Sequence, residues 1–129
     1  MTMPGLGPIG QISRNVADIP RSVEWYKTVL GLPHLFTFGD LAFFDCGGTR
    51  LLLTPPEREG TCAGQQFDSI LYYTVADIQS AASALTGRGV QFEQPPHIVA
   101  RLAAADLWMA LFHDPDGHAL ALMSEVARA

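Results

Sequence analysis

The sequence predicts an α+β fold built from two β-α-β-β-β modules. Three observations carry that expectation. The phrase Val16-Ala17-Asp18-Ile19 returns unchanged 59 positions later as Val75-Ala76-Asp77-Ile78. Each copy follows a short strand-like run and opens an amphipathic helical stretch. A polar, Gly-containing segment, residues 57–67, separates two halves with the same order of elements, which makes an internal duplication the economical reading.

The elements follow in order. Residues 9–15 form the first strand. Asp18 is a suitable N-cap, and Pro20 sits in the first helical turn, where a missing N–H does no harm. Ile19, Val23, Tyr26 and Leu30 recur at helical spacing, with Trp25 and Val29 widening the stripe, so residues 19–30 are predicted helical. Gly31 is the expected stop. Three strands then follow at 33–38, 41–46 and 50–54, joined by turns at Gly39-Asp40 and Gly47-Gly48 and ended by Pro55-Pro56. The pattern restarts with a strand at 69–74. Asp77 caps a second helix with Ile78, Ala81, Ala82 and Leu85 on one face, and Gly87 and Gly89 end it. Strands at 90–93, 107–113 and 119–123 complete the second half. The segment 94–106 is expected to be a long connection, of the kind that serves as a lid. The whole, residues 1–129, is expected to be one domain, with module one at 9–56 and module two at 68–126.

Composition narrows the function. Apolar residues make up 48% of the chain and charged residues 16%, which describes a folded globular protein. The net charge is −5 and the basic residues are scattered, so no basic stripe exists to track a nucleic-acid backbone. No apolar run is long enough to span a bilayer and no secretory leader is evident, so a soluble cytoplasmic protein is expected. Cys46 and Cys62 are not spaced as a redox or metal pair, which agrees with a reducing compartment.

The most informative stretch lies near the end: Phe112-His113-Asp114-Pro115-Asp116-Gly117-His118, then Ala119 to Met123. Asp-Pro-Asp-Gly is a tight turn between two apolar arms, and therefore a hairpin. This hairpin resembles the closing hairpin of the vicinal-oxygen-chelate superfamily, which includes glyoxalase, bleomycin-resistance proteins and extradiol dioxygenases. The β-α-β-β-β repeat is similar to the same family over nearly the whole chain. The resemblance implies modules that curl into a curved, barrel-like mixed sheet around a cavity, the glyoxalase/bleomycin-resistance fold. It also implies a homodimer.

The resemblance further implies metal ligands at four positions, one on the first and one on the last strand of each module. Here those positions read Gln11, Leu52, Ile70 and Ala121. A divalent ion needs several N, O or S donors at fixed distances, and three of these four side chains are hydrocarbon. No metal site and no cofactor are therefore expected. A divalent metal held instead by His97, Asp106 and His113 stays open as an alternative.

Strand alternation sorts the remaining candidates by face. Gln11 and Ser13 share one face, Tyr72 lies on the corresponding face of the second half, and Arg50 and Met123 stand on the closing strands. The predicted cavity is apolar with a few polar points, as small-molecule sites are. The ligand-binding candidates are Gln11, Ser13, Arg50, Tyr72, His97, Arg101, Trp108 and Met123. His97 and Arg101 would supply an acid/base and an anion partner from the segment 94–106, and Trp108 a flat wall. His97 and Tyr72 are the catalytic candidates; packing is the alternative role for Tyr72 and Trp108. Three functions follow: a small-molecule-binding protein that sequesters an apolar or mildly anionic organic ligand; a metal-independent lyase or isomerase; and a metal-dependent glyoxalase- or dioxygenase-like enzyme with unusual ligands.

Overall fold

A computed structural model describes residues 5–55 and 69–128, so the expected linker at 57–67 and Cys62 lie outside the described residues. The chain divides into two compact units, Met1–Gly64 and Gln65–Ala129. Each carries one four-stranded mixed sheet of the same topology.

In the first unit, β1 (Gln11–Asn15) leads into α1 (Ile19–Glu24), then β2 (His34–Phe38), β3 (Leu41–Cys46) and β4 (Thr49–Thr54). The sheet order is β1-β4-β3-β2, with β1 parallel to β4 and the other pairs antiparallel. In the second, β5 (Leu71–Thr74) leads into α2 (Ile78–Gly87), then β6 (Gln94–Arg101), β7 (Ala105–His113) and β8 (Ala119–Ala127). The order β5-β8-β7-β6 repeats the first, and β5 runs parallel to β8.

The repeated phrase has a repeated structural job. The Val16 N–H donates to the Thr54 carbonyl and the Val75 N–H to the Met123 carbonyl, each at 2.9 Å, which extends the parallel ladder. Asp18 and Asp77 then cap their helices, accepting the N–H of Arg21 at 3.0 Å and of Ser80 at 3.1 Å.

The helix-side faces are also duplicated. Ala42, Phe44, Leu51 and Leu53 are almost fully buried in the first unit, and Ala110, Phe112, Leu120 and Leu122 in the second. Their registers match: Ala42 faces Leu53 and Phe44 faces Leu51, as Ala110 faces Leu122 and Phe112 faces Leu120. These alternate residues form each module's core.

Three expectations need correction. The helix predicted over 19–30 is α-helical only to Glu24; Trp25–Val29 continues as a π-helical turn. The Thr28 hydroxyl donates to the Glu24 carbonyl at 2.6 Å, a side-chain bond of the kind that loosens the ladder, and the Leu30 N–H reaches back five residues to Trp25. Residues 90–93 are not a strand. The segment 94–106 is not a long connection: β6 and the start of β7 occupy most of it. Pro95 and Pro96 are tolerated because β6 is an edge strand and its register shifts between Gln94 and His97, so neither proline has a ladder partner on β7. At the β6–β7 turn the Arg128 guanidinium donates to the carbonyls of Leu102, Ala103 and Ala105 and to Asp106.

Candidate functional site

The face of each sheet away from the core is the part left to do chemistry. In the first unit β1 is held beside β4 at its start: the Arg50 N–H donates to the Gly10 carbonyl at 2.9 Å and the Thr49 hydroxyl to the Ile9 carbonyl at 3.0 Å. That anchorage sets Gln11 opposite Arg50 and Ser13 opposite Leu52. The two-residue Gly47-Gly48 turn fixes the other side, setting Asp45 opposite Arg50 and Phe43 opposite Leu52. Phe36 on β2 pairs with Phe43, and their rings stack with centroids 4.6 Å apart. One row of this open face therefore reads Gln11, Arg50, Asp45, and the next Ser13, Leu52, Phe43, Phe36.

Arg50 is exposed, and its guanidinium carbon lies 5.2 Å from the centre of the Phe43 ring. Asp45 directs one carboxylate oxygen to the Gly48 N–H at 3.1 Å. Among the described residues, no carboxylate stands within ion-pair distance of Arg50.

The open face of the second unit is built on the same register with different side chains. Tyr72, Ala121, Leu111 and Gln94 form one row, and Thr74, Met123, Met109 and His97 the next. Ala121 is buried, Met123 half-buried, and Tyr72 46% exposed. The His97 Nδ1 is 2.8 Å from the Pro95 carbonyl oxygen. A carbonyl only accepts, so in the neutral ring Nδ1 carries the proton and Nε2 keeps its lone pair. His97 can thus accept a proton from a bound molecule without first changing tautomer.

The structure brings some candidates together and separates others. Gln11, Ser13 and Arg50 share the first open face; Tyr72, His97 and Met123 share the second. Tyr72 and His97 stand on opposite edge strands, three inter-strand spacings or about 14 Å apart, so they do not form a hydrogen-bonded catalytic pair. Trp108 pairs with buried Ser124 and alternates with Ala110 and Phe112, which puts it on the core-side face rather than on a cavity wall. Arg101 is ion-paired to Asp106 at 3.1 Å, and Arg128 holds the other oxygen of that carboxylate at 2.6 Å. Asp106 has the strand parity of Trp108, Ala110 and Phe112, so it does not share the open face with His97 and His113. His113 lies four residues along β7 from the His97 partner Met109, about 13 Å. The trio His97, Asp106 and His113 therefore does not converge, and among the described residues no three His, Cys, Asp or Glu side chains group around a metal position.

The register also settles which residues are equivalent. Ser13 and Tyr72 stand at matching positions of the repeat, and their partners are Leu52 and Ala121. Those two residues thus close the two modules at corresponding points, and neither side chain has a donor atom. With Ile70 at the position matching Gln11, the donor set at these four positions does not suit a divalent ion.

Phe36 and Phe43 are absent from the residues the sequence singles out. Their signals were the two-residue turns: counting outward from Gly47-Gly48 places Phe43 opposite Leu52, on the same face as Arg50, and counting from Gly39-Asp40 places Phe36 opposite Phe43.

Comparison with known proteins agrees with this architecture. A family model described as Glyoxalase/Bleomycin resistance protein/Dioxygenase superfamily matches residues 8–122. The chain is similar to the uncharacterized protein YraH of Bacillus subtilis (strain 168), at 32% identity over 117 residues, covering 82% of this chain and 89% of that protein. Among solved structures it resembles a member of the same superfamily from Sphaerobacter thermophilus DSM 20745, with a TM-score of 0.74 at 23% identity, covering 93% of this chain and 98% of the other. It also resembles a lactoylglutathione lyase from Agrobacterium tumefaciens, with a TM-score of 0.73 at 17% identity, covering 93% and 95%. At these identities the structural likenesses establish the fold alone.

Proposed function

The chain belongs to the glyoxalase/bleomycin resistance protein/dioxygenase superfamily, and from that premise we propose that it is a small-molecule-binding protein that works without the family's metal ion. The observation that carries this reading is the chemistry of the positions the family resemblance assigns to metal. Leu52, Ile70 and Ala121 offer hydrocarbon, and Gln11 alone is a weak neutral donor. What remains on the two open faces is apolar surface with sparse orienting groups, which is how small organic ligands are held. Leu52, Phe43, Leu111, Met109 and Met123 would supply contact area. Gln11, Ser13, Arg50 and Tyr72 would fix orientation. The ligand would be apolar or mildly anionic, since Arg50 is exposed on the first open face and, among the described residues, no carboxylate stands within ion-pair distance of it.

A second reading is metal-free proton transfer, as in a lyase or isomerase. The fixed tautomer of His97 favours it, because Nε2 is left as an acceptor. Tyr72 would then act as a separate binding group, not as a partner in the same step.

A homodimer in the cytoplasm completes the proposal. The edge strands expose apolar side chains, Leu35 and Phe38 on β2 and Val99 on β6, which suits burial against another chain. Among the described residues no helix is long and apolar enough to cross a membrane.

A thermal-shift screen of small apolar and anionic organic compounds tests the reading. Hits whose shift is reduced by Gln11→Ala support binding on the first open face. Turnover of a hit that disappears in His97→Ala would favour the enzyme instead. A screen with no hits would overturn both.

A further inference from the structure

We propose that the open face of the first module is a subsite for a planar aromatic carboxylate. This deepens the small-molecule reading and rests on it. Three features of that face converge on one ligand chemistry. The first is an exposed cation without a carboxylate partner among the described residues: Arg50 stands 5.2 Å over the Phe43 ring. A guanidinium held against an aromatic face is oriented by it, and its planar fork of N–H donors matches both oxygens of a carboxylate. The second is a partly exposed aromatic pair next to that cation. Phe36 and Phe43 stack at 4.6 Å with 29° between their planes, and Phe36 remains 47% exposed. A ligand ring can lie across the exposed edges of the pair while its carboxylate reaches Arg50 at the Phe43 end. The third is the neighbouring pair Gln11 and Ser13, both exposed and register partners of Arg50 and Leu52. They offer an amide and a hydroxyl to a ring substituent or to the second carboxylate oxygen.

Charge sets the preference. Asp45 faces Arg50 across β3 and β4, and its carboxylate is engaged by the Gly48 N–H rather than by Arg50. It tempers the attraction for an anion without cancelling it. The corresponding positions of the second module, Ala119 opposite His113, carry no arginine. Nor does that module place a ring pair there: Leu111 and Gln94 stand where Phe43 and Phe36 do. The selectivity for an aromatic anion is therefore a property of module one.

The test is calorimetric titration of the full chain with three probes: 2-naphthoate, its neutral counterpart 2-naphthamide, and cyclohexanecarboxylate. Because a charge-assisted pair contributes more than a neutral hydrogen bond, naphthoate should bind about tenfold more tightly than the amide. Arg50→Gln should abolish that preference. Phe36→Ala should weaken both naphthalene probes by about threefold to tenfold and leave cyclohexanecarboxylate little changed. Asp45→Asn should tighten naphthoate alone. Equal affinity for naphthoate and naphthamide in the unsubstituted protein would overturn the proposal, as would a preference that survives Arg50→Gln. Neutral apolar binding without any anion preference would overturn this inference and leave the broader small-molecule reading standing. No binding by any probe would overturn the inference, and together with an empty thermal-shift screen it would overturn both.

Discussion

In the first module Ala42, Phe44, Leu51 and Leu53 make up the core side of the sheet, and in the second Ala110, Phe112, Leu120 and Leu122 take the same register positions. Turn either sheet over and the agreement stops. Gln11, Ser13, Arg50, Leu52 and Phe43 meet Ile70, Tyr72, Ala119, Ala121 and Leu111. The core side must satisfy the same packing against a helix in both modules, so volume and hydrophobicity leave few choices. The open side carries no such packing against a helix. A small residue in one module stands where a large one does in the other: Ser13 beside Leu52, against Tyr72 beside Ala121. Duplication preserved the frame and released the surface.

If the frame is common property, equivalent core deletions should cost alike. Leu51→Ala and Leu120→Ala each remove a fully buried side chain and should lower stability by about 2–5 kcal/mol, measured by urea unfolding. Losses that differ by more than about 2 kcal/mol would show that one module carries the packing and the other merely follows.

The closing turns should behave unequally. Asp114 is 5% exposed, and one of its oxygens accepts the N–H groups of Asp116 at 2.9 Å and His118 at 2.8 Å. Asp45 accepts one N–H, from Gly48, and is only half-buried. Asp114→Ala should therefore cost about 2–3 kcal/mol and Asp45→Ala under about 1 kcal/mol in the same unfolding experiment. Equal costs would mean that turn conformation, set by Gly117 and by Gly47-Gly48, outweighs the side-chain bonds.

The smallest expected difference lies in the helix caps. The Asp77 carboxyl is held below its ordinary pKa by the backbone N–H of Ser80, then by the Ser80 hydroxyl, with a further contribution from the Gln79 N–H against a small opposing effect of burial. Pro20 and Arg21 occupy the matching places after Asp18, so that cap lacks both a hydroxyl and one N–H donor. A carboxylate with a depressed folded-state pKa adds stability above its unfolded value, and the contribution is lost as pH falls through the folded value. The melting-temperature gap between the parent protein and Asp77→Ala should thus be full at neutral pH and shrink below about pH 4. A gap that stays constant down to pH 2 would count against the assigned hydrogen bonds.

The sequence made the common frame readable because its signals are local. Asp18 and Asp77 cap, the apolar spacing turns helical after each, and a four-residue identity aligns the halves. Where the reading failed, a nonlocal fact decided. The segment 94–106 read as a connection, yet edge strand β6 takes up Pro95 and Pro96 at a register shift and the chain turns only at 102–104. Trp108 read as a wall, although alternation with Ala110 and Phe112 assigns it to the core side. Arg101 was a candidate anion partner, but Asp106 takes it. The Phe36–Phe43 pair lies on the turn side of the register shift at Leu35, so counting outward from the two-residue Gly39-Asp40 turn already sets it.

The central claim is that the open faces hold no metal and bind an organic molecule with carbon surface and a few polar groups. Elemental mass spectrometry on untagged protein never exposed to chelator, combined with titration by Zn²⁺, Ni²⁺, Mn²⁺ and Fe²⁺, tests it most directly. The account predicts well under about 0.1 metal ion per chain and no saturable tight binding, because three of the four family positions lack donors. One divalent ion per chain or per pair of chains, lost on substituting Gln11→Ala, would contradict it and return the chain to metal-dependent chemistry.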